Sequence, residues 1–382
     1  MSDMFAWPLR IGSLILIGAG LTWVGLKGPI GQSAPSDSPA LAQAADSSTI
    51  APAGGVISIP APERSLDGHL AQRTATALLR RPIDCQLGKD CFVMLYPDHD
   101  PSTGERDSMC RHLTYDGHNG TDFAIPFWTP QTAVPVVATA AGTVSAMRDG
   151  VPDRRLTSPE ARSTVAGIEC GNGVMLDHGN GWQTQYCHMK QGSVRVKIGD
   201  RVQAGNPLGL VGLSGMTTFP HVHVTVRKDG KEVDPLLGGD RIAGCATGNN
   251  TNTVWNDGAR NYVATGLIRS GFAPKQPVED ELWRGEFQSN QIPGQAEALT
   301  FWVHAFGVQK GDVEYFKLLA PDGSIVTDYQ RPIDQDQKQW ITYVGKGTRR
   351  SPLMPGTWTA SYRLMRGNQT LIQLDRQQAV VR

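Results

Sequence analysis

The chain has 382 residues, with 36 Lys+Arg against 36 Asp+Glu, a formal net charge of zero and a pI near 7.1. Without a Lys/Arg-rich run, that balance excludes a nucleic-acid partner, because binding a phosphate backbone needs a clustered positive excess. The length suits two or three domains, and 43 Gly with 25 Pro suits short strands and many turns better than long helices.

The N-terminus reads as targeting sequence. After Arg10 comes an uncharged apolar run from Ile11 to Leu26, at the short edge of the roughly 17–25 residues that a membrane helix needs. A Ser-, Ala- and Pro-rich stretch follows, with Ala-x-Ala sites at Ala40–Ala42 and Ala42–Ala44. Both an uncleaved signal anchor and a cleaved signal peptide fit, and either implies export. The six cysteines, Cys85, Cys91, Cys110, Cys170, Cys187 and Cys245, then read as disulfides, with Cys85–Cys91 as one small loop. No Cys-x-x-Cys pair supports a cysteine metal site.

Residues 67–81 read as a short helix. From Cys91 to Asp234 the pattern is β, in short apolar runs punctuated by Gly, Asn and Asp. His178–Gly181 ("HGNG") predicts a hairpin turn, since Asn-Gly accepts positive φ. Asp98–Asp107 reads as an exposed acidic loop and Asp153–Gly167 as an insertion between strands that borders a cleft. After Cys245 a mixed polar segment leads, from about Ala296, into alternating strands with Pro-Asp-Gly and Pro-Gly turns, the pattern of a small β-sandwich.

Of nine histidines, seven lie between residues 99 and 223, and four of these sit in telling contexts. "GHNGTDF" places His118 four residues before Asp122, and "YCHM" places His188 near a strand end. "FPHVHVTVR" puts His221 and His223 two apart on a half-buried strand, where residues i and i+2 share a face. Two imidazoles held together without a cation cost desolvation or charge repulsion. Two imidazoles and a carboxylate with a fourth position open is the layout of a catalytic zinc site. The bland readings are a surface or core His188, a simple His118–Asp122 ion pair and a structural His178. A Cys187–His188 nucleophile–base pair is geometrically poor, because adjacent strand residues face opposite ways.

These motifs, in this order and spacing over roughly residues 110 to 238, resemble the lysostaphin-like zinc endopeptidases that cut peptidoglycan cross-bridges. The resemblance implies Zn2+ on His118, Asp122 and His223, with His188 and His221 flanking the activated water as catalytic groups. Which of the two takes the proton and which stabilises the oxyanion stays open. The chain departs from the family pattern at Phe219, where Gly usually precedes the Pro, and at Met189 and Val222, where Leu is usual. Those departures bear on substrate fit rather than on the metal.

The expected architecture is therefore mainly β: an antiparallel lysostaphin-like peptidase domain plus a C-terminal β-sandwich domain. The expected boundaries are 1–30 signal anchor or signal peptide, 31–63 linker, 64–245 peptidase domain, 246–290 connecting segment and 291–382 accessory sandwich. The expected substrate is peptidoglycan in the periplasm or cell envelope, with inner-membrane attachment if the N-terminal segment stays, and a regulatory envelope protein as a further partner. Both Gly-Gly bridges and D-Ala–diaminopimelate cross-links are cut within the family. The rival is a non-catalytic wall-binding or amidase-activating factor on the same fold. A lipoyl- or biotin-type carrier, suggested by "GDRVQAGNPLG", fails for want of a lysine at a hairpin tip.

Overall fold

A computed structural model describes residues 79–240, 253–349 and 351–382. The apolar run Ile11–Leu26, the linker and Cys245 lie outside the described residues. Among those described, no helix is long and apolar enough to cross a membrane.

Eleven strands make up the first half: β1 (Phe92–Leu95), β2 (Thr121–Ala124), β3 (Pro135–Val137), β4 (Gly142–Arg148), β5 (Asn172–Gly179), β6 (Trp182–Met189), β7 (Arg201–Val202), β8 (Pro207–Leu210), β9 (His221–Lys228), β10 (Lys231–Asp234) and β11 (Gly239–Asp240). Nine of them form one sheet, ordered β1-β2-β9-β6-β5-β4-β7 with β10 paired to β9 and β11 to β10, while β3 and β8 pair separately. The alternation of β9 explains its place at the centre. Val222, Val224 and Val226 join Phe123 and Tyr186 in the core, while His221, His223 and Thr225 occupy the other face. All six are buried, so the strand is covered on both faces rather than half-buried. Burying each valine is worth about 1.5–3 kcal/mol, which is ample to fix the register that sets the histidine face.

The predicted hairpin forms between β5 and β6, with Asn180 at φ 50° and Gly181 at φ 75°. His178 is structural, its ring bonded to the Ala141 carbonyl and to Thr184. Cys85–Cys91 and Cys170–Cys187 are disulfides.

Three readings need correction. Leu79–Arg81, the described end of the stretch read as helix, is extended, because Leu79 pairs with Trp255 across the chain. Asp98 and Asp107 are buried rather than exposed. Asp98 accepts the backbone N–H groups of Asp100, Arg106 and Gly117, and Asp107 those of Met109 and Arg111 plus the Tyr262 hydroxyl. Their oxygens are spent on protein donors that organise the loop. The third concerns the segment read as a connection, which contributes an integral sheet strand, β12 (Gly266–Ala273).

The second half is a β-sandwich. After β12 come α2 (Glu279–Trp283), β13 (Gln291–Pro293), β14 (Ala298–Val308), β15 (Val313–Leu319), β16 (Ile325–Pro332), β17 (Gln337–Gly347), β18 (Gly356–Arg366) and β19 (Gln369–Val381). The short helix α1 (Pro159–Ser163), capped by Ser158, lies in the earlier insertion. Sheet β12-β14-β17 faces sheet β13-β19-β18-β15-β16 across a core that includes Phe301, Val303, Phe316, Trp358 and Tyr362. The sandwich also packs on the first half, where Phe92 stacks on Phe306 at 5.2 Å and Lys338 pairs with Glu105 at 2.7 Å.

Candidate metal centre

The site is assembled by register. In the antiparallel pair β2–β9, Asp122 lies opposite His223 and Ala124 opposite His221, so Asp122, His221 and His223 share one face. His118 comes from the loop before β2, which folds back because Asp98 brackets it. The Asp98 N–H donates to the His118 carbonyl, and the Asp98 carboxylate accepts from the Gly117 N–H. Gly120 lets this loop pass over the site, since a β-carbon there would stand 2.5 Å from His223 Nε2.

His188 arrives by a different device. Between Tyr186 and Met189 the register against β5 shifts, a bulge that re-aims the side chain. His188 sits at φ 61°, a conformation costing a β-carbon-bearing residue roughly 1–3 kcal/mol. The surroundings hold it there. Its N–H donates to the Cys170 carbonyl, its ring Nδ1 bonds the Ser214 carbonyl, and the Cys170–Cys187 disulfide clips the same loop to its neighbour.

Hydrogen bonding on the outer side of each ring fixes what the inner side offers. His118 Nδ1–H donates to the Tyr96 carbonyl at 2.7 Å, which leaves Nε2 as a lone pair. His223 Nε2–H faces Asn119 Oδ1 and Thr225 Oγ at 3.2 and 3.0 Å, which leaves Nδ1 as a lone pair. His221 Nδ1–H donates to the Phe219 carbonyl at 2.9 Å and His188 Nδ1–H to Ser214, so both of their Nε2 atoms are lone pairs too.

The inner atoms converge. His118 Nε2 lies 3.1 Å from His223 Nδ1, and Asp122 Oδ1 lies 3.2 Å from the first and 2.9 Å from the second. Three electron pairs directed at one another repel unless a cation or proton lies between them. Tetrahedral zinc with ligands at about 2.0–2.1 Å would space its donors about 3.3 Å apart, so the trio fits with a slight expansion. All three residues are buried, and the group could hold a metal ion. The other such grouping among the described residues, Cys85, Asp90 and Cys91, is disqualified because its two sulfurs are joined.

His188 and His221 stand beside the trio, with His221 Nε2 3.5 Å from Asp122 Oδ1 and the two rings 4.7 Å apart. Burial pushes His188 well below the ordinary imidazole range, and the neighbouring His221 and His223 reinforce the effect. Burial also lowers His221, against the pull of Asp122. Both rings are therefore neutral near pH 7 and able to accept a proton. At Asp122 burial works upward, but His221 and His118 outweigh it and hold the carboxyl well below the usual range, as an anion.

Residues 116–235 match the model of Peptidase family M23. Over these residues the chain is similar to that family. The M23 stretch is 34% identical over 119 residues to the peptidoglycan DD-endopeptidase ShyA of Vibrio cholerae, covering 31% of this chain and 22% of that protein. It is 32% identical over 123 residues to the DD-carboxypeptidase/endopeptidase Mpg of Neisseria meningitidis, covering 32% and 23%. Among solved structures, the catalytic domain of lysostaphin from Staphylococcus simulans aligns at 25% identity over 32% of this chain and 77% of that one, with a TM-score of 0.23. The chain thus spans under a quarter of the length of the two curated relatives.

The five residues singled out in the sequence lie together here. What the motif reading missed is the outer layer: the Tyr96, Ser214 and Phe219 carbonyls, Asn119 and Thr225. Backbone acceptors carry no sequence signal. Asn119 stood inside "HNGTD" but looked like a turn residue.

Proposed function

We propose that this protein is an exported zinc endopeptidase that hydrolyses peptide cross-links in peptidoglycan. The observation that carries the reading is the meeting of three inward lone pairs on His118, Asp122 and His223 beside two further neutral imidazoles. His118 Nε2, Asp122 Oδ1 and His223 Nδ1 would hold the ion. When bound, zinc there supplies Lewis acidity that makes a water nucleophilic near neutral pH.

The rest falls to the chain's own groups. His188 and His221 each present Nε2 toward the trio while Nδ1–H is anchored to a carbonyl, so neither ring can flip without losing a bond. One would accept the proton released in attack on the amide and return it to the leaving amine, while the other, taking up a second proton from solvent, would stabilise the developing oxyanion. Burial keeps water out and strengthens both effects. The names of the curated relatives support a cross-link between D-amino acids as the scissile bond, and a disulfide-bearing chain suits the periplasm. The Ile11–Leu26 run would serve as the export signal or as an inner-membrane anchor.

Mass spectrometry of the fragments released from purified sacculi tests the reading. We expect cross-linked muropeptide dimers to disappear and monomers to appear, a chelator to stop the reaction and added zinc to restore it. Undiminished cleavage by metal-free protein would overturn it.

A further inference from the structure

The catalytic loop is held from outside by the second half of the chain. The loop 213–219 supplies both carbonyls that anchor the His188 and His221 rings, from Ser214 and Phe219. On its outer side runs the insertion, bonded to the loop by Arg154 N–H to the Leu213 carbonyl and Leu156 N–H to the Thr217 carbonyl. Arg155, its side chain 8% exposed, joins three segments at once. Its Nε–H donates to the Thr218 carbonyl at 2.7 Å, and its two terminal nitrogens pair with Asp280 and Glu279 of α2 at 2.7 and 2.6 Å.

Phe219 makes the second connection. Its ring stacks on His221 at 4.3 Å and on Trp283 of α2 at 5.8 Å. Trp283 in turn meets the edge of His304 on β14 at 4.7 Å. Neither Trp283 Nε1 nor either ring nitrogen of His304 has a hydrogen-bond partner, and all three residues are buried, so this is a packed seam rather than a polar one. Burial takes His304 down to about 3, and Arg269 and Arg155 press the same way, so it stays neutral and works as a flat spacer. The far end of α2 is fixed too, by Arg269 donating to the Leu282 and Glu286 carbonyls and by Trp128 N–H donating to the Trp283 carbonyl.

We infer that α2 and Arg155 form a brace that positions the His188 and His221 rings, making the C-terminal half part of the catalytic apparatus. Phe219, at the position where the resembled family carries Gly, is the residue through which the brace reaches His221. Trp283, Arg155 and Phe219 are positioning residues, since none of them touches the reacting atoms. The inference rests on the peptidase reading for its consequence in rate, but the packing it describes is measurable without activity.

The test uses the full chain with Trp283→Ala, Trp283→Phe and Arg155→Gln, assayed on soluble cross-linked muropeptide dimers. Misplacing a ring by about 1 Å can cost on the order of 100-fold. Trp283→Ala should therefore lower kcat by roughly 10- to 100-fold, with KM little changed and zinc still stoichiometric, because no metal ligand lies on the braced loop. Trp283→Phe should recover most of that loss, and hydrogen exchange at amides 213–221 should accelerate in Trp283→Ala alone of these two. Unchanged kcat and exchange in a folded Trp283→Ala protein would overturn the brace, as would a change confined to KM. Should Trp283→Ala fail to fold, Arg155→Gln decides, because the carboxylates it releases are partly exposed and can hydrate. Faster exchange in the loop and a several-fold lower kcat support the brace, and wild-type values of both overturn it. If the wild type itself leaves the dimers intact, the peptidase reading fails, while loop exchange still decides for or against the brace.

Discussion

Asp122→Asn will give a folded protein that retains no zinc and cleaves cross-linked peptidoglycan on the order of 10³-fold more slowly, or worse. The substitution keeps shape and volume and removes one charge. Asp122 is the anion around which the imidazoles gather, with His118 and His223 within 3.2 Å of Oδ1 and His221 at 3.5 Å. An amide in its place offers a neutral oxygen, a far weaker partner for a divalent cation. Losing the ion removes several kcal/mol of charge stabilisation, and each 1.36 kcal/mol is tenfold in rate. Zinc content by elemental analysis and initial rates on sacculi check both halves. Stoichiometric zinc with a wild-type rate would place the metal elsewhere.

His188→Ala should separate chemistry from metal binding. Its Nδ1 is committed to Ser214, its Nε2 faces the site, and burial keeps it neutral. Removing such a proton acceptor costs typically about 10²–10⁴-fold. Zinc should remain stoichiometric, because His118, Asp122 and His223 are untouched. Alanine keeps a β-carbon, so the strain at φ 61° stays, while a buried ring and its bond to Ser214 are lost, so the melting temperature should fall. Loss of zinc in parallel with activity would make His188 a ligand rather than a proton carrier.

How much of this was legible in the sequence differs from residue to residue. His221 and His223 share a face because the strand period is two, and that needs no tertiary information. The pairing of Asp122 with His223 across β2–β9 follows once both are placed on strands facing one site. His118 is another matter. Its spacing places it four residues before Asp122, but the strand begins only at Thr121, and the loop is bent inward by Asp98, twenty residues upstream. A contact between distant backbone groups leaves no local pattern. The same holds for Asp98 and Asp107, which as sequence look like solvated charge and as structure are caps for buried N–H groups. His188 illustrates a third case. Alternation correctly separated it from Cys187, but the bulge that turns it into the site depends on register with β5.

The sandwich was legible from its alternating strands and turn signals. Its strand β12 was not, because "GLIRSGFA" carries a polar centre whose Arg269 reaches back to α2. Phe219 stood out as a departure from the family pattern, but its partner Trp283 lies in a segment with no motif. Only the packing connects them.

Anomalous diffraction from crystals of the zinc-loaded protein, recorded on either side of the zinc edge, tests the central claim most directly. The account predicts one strong peak bounded by His118 Nε2, Asp122 Oδ1 and His223 Nδ1, with His188 and His221 close by but outside ligand distance. A peak on any other set of side chains, or none in protein that digests sacculi, would contradict it.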